Sequence, residues 1–148
     1  MSKQKTIQRK RRSVSPNRRI TPAGGIAARD LEALTKRLTY GGSSYHKLRP
    51  NDYGLSPPFS PRPHKSPCDD LRAVPKAEAI RLLKEGIRRG MVSALAGGGV
   101  PKYVWAVAED ELVFEAKTDP PNTVYHGYRL LEDDADMREE VKREWKKR

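Results

Sequence analysis

Cysteine is nearly absent from this chain, since Cys68 is the only one in 148 residues. A single thiol excludes an intramolecular disulfide framework and is typical of a reducing compartment. Long apolar runs are missing as well. The best early run, Ile26-Ala27-Ala28, is too short for a secretory signal, and no stretch approaches the length that spans a bilayer. We therefore expect a cytoplasmic protein with no membrane partner.

Aromatic side chains are also few, at 7% of the residues, and the hydrophobic fraction is only 36%. A chain of this length has room for one domain with a modest core and is too short for two well-packed ones. Part of the chain is therefore expected to contribute nothing to that core.

Acidic residues are absent from the first 19 positions, which hold eight of the chain's 30 lysines and arginines. Residues 1–21 also contain almost no large apolar side chain, so they cannot bury enough surface to offset the entropy of ordering. We expect a disordered basic arm that attracts the phosphate backbone of nucleic acid. A solubilising tail, or a segment resembling a nuclear-localisation signal, explains the same charge run.

Three segments have helical spacing of their apolar residues. The first follows Thr21-Pro22, the second opens at Pro75, and the third follows a cap at Asp133 or Asp134. The predicted helices cover residues 26–39, 75–89 and the C-terminal residues from about 134.

Residues 40–75 are rich in proline and glycine, which excludes a long helix or a central strand. The aromatic residue in Tyr45-His46-Lys47 argues against a plain linker. We expect this irregular segment to wrap over the sheet and to bring His46 and Cys68 with it. Alternatively, Pro58-Phe59-Ser60-Pro61 has the PxxP spacing of a ligand for a protein partner.

Residues 102–130 contain three runs of aromatic and β-branched residues separated by short polar turns, the pattern of an antiparallel meander. Met91–Leu95 reads as a strand that precedes them. The sequence therefore predicts an α+β fold, with helices packed on a small antiparallel sheet of about four strands and a single domain over residues 22–148.

Glu115 and His126 stand out because each lies in a predicted strand at a position that packing alone would give to Val or Ile. If they face the same side of neighbouring strands, the two side chains lie within cross-strand reach of each other. Both also have structural explanations: Glu115 can pair with Lys117, and His126 can be a hydrogen-bonded core imidazole.

The sequence contains no CxxC pair, HExxH, GxSxG, phosphate loop or dinucleotide fingerprint. It does contain residues of catalytic type in plausible surroundings, with His64 as a further histidine. The predicted catalytic residues are His126, Glu115, His46 and Cys68. The predicted substrate-binding residues are Lys117, Arg129 and Tyr125.

The set Cys68, Glu115, His126 and His46 resembles a small bacterial family named for its Cys, Glu, His and His residues, which occurs beside ubiquitin-like conjugation components. The resemblance covers about residues 45–148. Separately, a helix followed by a four-stranded antiparallel sheet is similar in topology to the RNA-cleaving domains of the barnase, EndoU and RelE group. Topology by itself does not determine function.

Three chemistries suit these residues. In an RNase-like hydrolase, Glu115 or His126 accepts the ribose 2′-hydroxyl proton, His46 protonates the leaving oxygen, and Lys117 or Arg129 stabilises the charged transition state. In a zinc hydrolase, the ligands would be Cys68, His46 and His126, with Glu115 as the general base. In a thiol hydrolase, Cys68 is the nucleophile and His126 its base, oriented by Glu115.

A non-enzymatic protein is the remaining class. Its sheet would be a scaffold, and its basic arm and proline-rich segment would bind nucleic acid or a protein partner.

Overall fold

The computed structural model describes residues 17–41 and 74–148. These ranges contain three α-helices and four β-strands, and short 3₁₀ turns at Gly97–Gly99 and Glu132–Asp134. In chain order the elements are α1 (Ala28–Arg37), β1 (Thr39–Tyr40), α2 (Lys76–Arg88), β2 (Tyr103–Val107), β3 (Val113–Lys117), β4 (Val124–Arg129) and α3 (Ala135–Lys147).

The three predicted helices are present. Both ends of the first two helices and the N-terminal end of the third lie within about two residues of the predicted positions. Their apolar stripes explain their location, because residues three and four apart lie on the same helix face. Pro75 occupies the N-cap position of α2, where its missing N–H costs nothing. Asp134 is the N-cap residue of α3, but its side chain makes no capping hydrogen bond there.

The sheet has the strand order β1-β4-β3-β2. The β2-β3 and β3-β4 pairs are antiparallel as predicted, and the α+β class is confirmed. The prediction of a purely antiparallel sheet is wrong, because β1 runs parallel to β4. The chain leaves α1 through the buried, extended residue Leu38 and continues along β4, where Thr39 N–H donates to Thr123 O at 2.9 Å.

The strand predicted over 91–95 is present only as two isolated bridges, from Val92 to Val104 and from Leu95 to Pro101. The ladder is interrupted by Ser93, whose hydroxyl oxygen accepts the Tyr103 N–H at 2.9 Å in place of a backbone carbonyl. The segment still covers the edge of β2, since the backbone N–H of Trp105 donates to the backbone carbonyl of Met91.

Helices cover both faces of the sheet. On one face, α1 and α2 pack on apolar residues of β2, β3 and β4, including Val104, Phe114 and Tyr125. On the other face, α3 packs through Met137 and Val141 on a second apolar cluster. The face that carries α3 is called the α3 face below, and it holds the alternate residues of each strand.

The described residues at the start of the domain differ from the predicted arm. Arg18 is only 5% exposed, Ile20 packs against the cluster on the α3 face, and Thr21 N–H donates to Val92 O at 2.9 Å. Residues 18–21 therefore belong to the folded domain, although the prediction placed them in the disordered arm. The sequence could not show this, because Arg18 belongs to a run of basic residues and its charge does not distinguish it from the others.

Candidate functional site

Glu115 lies at the middle of β3, the second strand in from the β2 edge, and is 1% exposed. Strand register places it directly opposite Trp105 on one side and Tyr128 on the other. Because opposite residues in antiparallel strands point to the same face, all three side chains lie on the α3 face. Glu115 is thus a charged residue inside an apolar layer.

Three donors from different parts of the chain hold the Glu115 carboxylate. Arg18 Nε and Trp105 Nε1 each donate to Oε1 at 2.8 Å, and the Tyr128 hydroxyl donates to Oε2. Arg18 also bridges to a second acid, with its Nη1 3.2 Å from Asp134 Oδ1. The group formed by Arg18, Trp105, Glu115, Tyr128 and Asp134 is called the Arg18 network below.

The Arg18 network shifts the acidity of its members. Burial by itself lowers the pKa of Arg18, but the Glu115 and Asp134 carboxylates outweigh that effect and raise it above its ordinary value. Burial, reinforced by the Glu115 carboxylate, raises the pKa of Tyr128. Arg18 therefore stays cationic and Tyr128 stays protonated at all physiological pH values.

This arrangement gives Glu115 a structural role. A general base needs to reach the substrate proton within hydrogen-bond distance, directly or through one water. The Glu115 oxygens instead accept three hydrogen bonds beneath an almost fully closed surface. With its oxygens engaged by these three donors, the Glu115 carboxylate ties Arg18, β2 and β4 to β3.

His126 and Lys117 form the next residue pair on the α3 face. They are directly opposite each other in the β3-β4 register, and Tyr103 is opposite Lys117 in the β2-β3 register. All three are half-buried. This cross-strand row of Tyr103, Lys117 and His126 is called the His126 row below. It lies on the α3 face, one residue pair beyond the row that contains Glu115.

The sequence left open whether Glu115 and His126 share a face, and the β3-β4 register places both on the α3 face. Glu115 is opposite Tyr128, however, so His126 is its diagonal neighbour and not its direct partner. Diagonal positions are about 7–8 Å apart between backbones. The carboxylate is turned to Arg18, Trp105 and Tyr128, and the immediate cross-strand partner of the imidazole is Lys117.

The other two predicted substrate-binding residues lie on the opposite face from His126. Arg129 is half-buried and is paired with Phe114 across β3 and β4. Tyr125 has 0% exposure, and its hydroxyl donates to Pro101 O in the core between the sheet and α2. Burial raises the pKa of Tyr125, with Arg37 opposing the shift. The structure thus separates Arg129 and Tyr125 from Lys117.

His46, Cys68 and His64 lie outside the described residues, so the structure does not test whether they approach His126. The zinc ligand set of Cys68, His46 and His126 and the thiol mechanism therefore stay predictions. Within residues 17–41 and 74–148, no group of three or more His, Cys, Asp or Glu side chains is placed to hold a metal ion.

Sequence reasoning missed Arg18, Trp105 and Tyr128 as partners of Glu115, and Asp134 as the second partner of Arg18. One signal was available. A glutamate in a strand whose neighbours are apolar requires a buried cation or several donors, because an unpaired buried charge is very costly. That argument predicts a partner but cannot identify Arg18, which is 97 residues away in the chain.

Comparisons with protein-family models, curated proteins and solved structures found no match to this chain. The resemblance to the Cys, Glu, His and His family and the topological similarity to RNA-cleaving domains therefore stay predictions. Among the described residues, no helix combines the length and apolar character needed to cross a membrane.

Proposed function

We propose that the protein is a small RNA-cleaving hydrolase whose reactive pair is His126 and Lys117. The observation that carries this proposal is their direct pairing across β3 and β4 in a half-buried row. An imidazole and an ammonium group held side by side supply a proton acceptor and a positive charge for a phosphodiester.

The course of the N-terminal segment supports the same substrate. Thr21 is bonded to Val92 beside the β2 edge, and Arg18 is bonded to Glu115 on β3. Residues 21 to 18 therefore cross the α3 face from the β2 edge toward Glu115 at the sheet centre. Residues 1–16 of the sequence carry six further cations, and such a charge run attracts RNA by releasing counterions.

The proposed reaction is a transesterification within the RNA. His126 accepts the proton of a ribose 2′-hydroxyl, and the 2′-oxygen bonds to the adjacent phosphorus. The bond from phosphorus to the 5′-oxygen breaks, that oxygen takes a proton from water, and His126 returns its proton to the hydroxide that remains. Lys117 stabilises the negative charge on the non-bridging oxygens. The products are a 2′,3′-cyclic phosphate and a 5′-hydroxyl end.

The test is a cleavage assay on single-stranded RNA with His126→Ala and Lys117→Gln. We expect His126→Ala to lower the rate by about 10²–10⁴-fold, the usual range for loss of a general base. Lys84→Gln is the matched control, because Lys84 is a half-buried lysine of α2 on the opposite side of the sheet. An RNA with a single 2′-deoxy substitution at the cleaved nucleotide should resist cleavage.

Unchanged turnover in His126→Ala, or equal cleavage of DNA, would overturn the assignment. A second candidate is nucleic-acid binding without cleavage. It is favoured by one observation: Arg18, at the C-terminal end of the basic segment, is bonded to Glu115 of the sheet and to Asp134. Salt-dependent RNA binding by the wild type, measured by fluorescence anisotropy with no product formed, would support that candidate instead.

A further inference from the structure

A cleft lies away from the His126 row, where α2 and α3 end and α1 begins. Its cavity volume is about 340 Å³, and its walls include the turn over residues 21–26. Four cations line it, two from the end of α2 and two from the end of the chain: Arg88, Arg89, Lys147 and Arg148. We propose that this cleft binds a small phosphate monoester, and the inference does not depend on the proposed RNase activity.

Two of the four cations are held in place before any ligand arrives. Arg148 donates to Gly90 O at 2.8 Å, to Thr21 O at 2.7 Å and to Glu144. Arg89 donates to Trp145 O at 2.9 Å and pairs with Glu85 at 2.8 Å, and its guanidinium carbon lies 4.0 Å from the centre of the Trp145 ring. Their positive charges therefore need little further ordering to act on a bound anion.

The other two cations are exposed and free to change partner. Arg88 is 53% exposed, with Glu32 at 3.3 Å as its ion-pair partner, and Lys147 is 66% exposed, with Glu144 at 3.3 Å. Exposed ion pairs of this kind contribute little to stability. A phosphate dianion offers each of them a more highly charged acceptor at little cost.

The backbone on the α1 side of the cleft also suits an anion. Ala28, the first residue of α1, lines the cavity, and the N-cap residue Ala27 has no side chain that could accept a hydrogen bond. The positive end of the helix dipole adds to the four side-chain charges there. Gly24, with φ +77°, faces open space, since a Cβ built on it would meet nothing within 4 Å.

The remaining walls are apolar and determine what the phosphate is attached to. Pro22, Ile26 and Leu31 line the cleft together with the cations. A volume of this size suits a small molecule, and apolar walls with a few charged groups at one side are typical of such sites. The ligand class is therefore a phosphate monoester carried on a flat or apolar group, as in a nucleoside monophosphate.

The test is a titration of the full-length protein with adenosine 5′-monophosphate, followed by backbone amide NMR. We expect shifts of the Gly24, Ala28 and Gly90 amides, and no shifts from adenosine without phosphate. Arg88→Gln should raise the Kd about tenfold, the effect of losing one charge-assisted hydrogen bond. Arg81→Gln is the matched control, because Arg81 is on the same helix, is 52% exposed and also pairs with a glutamate.

Three outcomes would overturn the proposal. Adenosine could shift the same amides as strongly, which would make the cleft an apolar pocket only. Arg81→Gln could weaken binding as much as Arg88→Gln, which would indicate general attraction to a basic protein. The cleft amides could also stay unshifted at millimolar ligand. Lys147→Gln provides an independent second variant, since its exposed side chain contributes little to folding.

Discussion

At the scale of single residues, Glu115 determines how the α3 face is built. Its carboxylate accepts hydrogen bonds from the N-terminal segment, β2 and β4. These bonds connect three parts of the chain to β3. Asp134 adds a second acid to the same arginine. A buried cluster of two acids and one cation is stable only while every charge keeps its partner.

Replacing Arg18 by Met tests this directly. The change leaves two buried carboxylates without their cation, so we expect the free energy of unfolding to fall by about 3–5 kcal/mol. Urea unfolding measures it. Arg81→Met is the control, because the exposed Arg81 pair should contribute less than about 1 kcal/mol. Equal losses in the two variants would show that the Arg18 network contributes no more than a surface ion pair.

Tyr128 predicts a particular response to alkaline pH. Its pKa is raised in the folded state, so the folded protein holds the phenolic proton more tightly than the unfolded chain does. The stabilisation is fully present below the unfolded pKa of about 10 and is lost as pH rises toward the folded value. In Tyr128→Phe this part of the loss should be absent.

The measurement for Tyr128 is the free energy of unfolding from pH 8 upward for wild type and Tyr128→Phe. All other titratable groups are the same in the two proteins. The difference between their curves of unfolding free energy against pH therefore reports the contribution of Tyr128 alone. We expect that difference to shrink as pH rises above about 10. Parallel curves would contradict the raised pKa.

At the scale of elements, the contact between α2 and β2 sets the spacing of the core on the α1 and α2 side. Gly86 of α2 lies so close to β2 that a Cβ built on it would be 2.4 Å from Trp105 O. The glycine therefore lets the helix backbone approach the strand directly. Trp105 in turn donates to Glu115 from the other face of the sheet, so this helix contact also positions the Arg18 network.

Gly86→Ala should therefore destabilise the protein, although alanine is the better helix former by about 1 kcal/mol. The methyl group would push α2 away from β2, and we expect a net loss of about 1–3 kcal/mol by thermal or urea unfolding. Gly97→Ala is the control, since its nearest contact would be an ordinary 3.6 Å. A stabilised Gly86→Ala variant would show that propensity outweighs the close contact.

At the scale of the whole molecule, charge is divided between the folded domain and the residues that precede it. Lys3, Lys5, Arg9, Lys10, Arg11 and Arg12 precede the described residues, whereas Arg18 is an internal part of the domain. Two truncations separate these roles. Removing residues 2–16 should leave the free energy of unfolding unchanged, and removing residues 2–21 should lower it by at least about 3 kcal/mol because Arg18 is lost.

The same truncations predict the salt dependence of RNA binding. Removing residues 2–16 takes away six cations, so the slope of log affinity against log salt concentration should become shallower by as much as about 4. Fluorescence anisotropy over a salt series measures this slope. An unchanged slope would assign RNA binding to the folded domain alone.

The elements were easier to predict than their partners. The three helices and the β2-β3-β4 meander follow from the 3.6-residue and two-residue spacing of apolar side chains, which is local information. β1 was missed because two residues, Thr39 and Tyr40, are too few to show a period, and because their parallel pairing is decided by β4, more than 80 residues later in the chain.

The amino-acid order by itself determined the α+β class, the positions of the helices and the concentration of cations at the N-terminus. These features follow from residue type and short-range spacing. Only the tertiary structure decided that Glu115 is held by Arg18 and that His126 lies beside Lys117. The physical reason is that strand register and burial bring distant residues together, and the charge of a side chain does not reveal its partner.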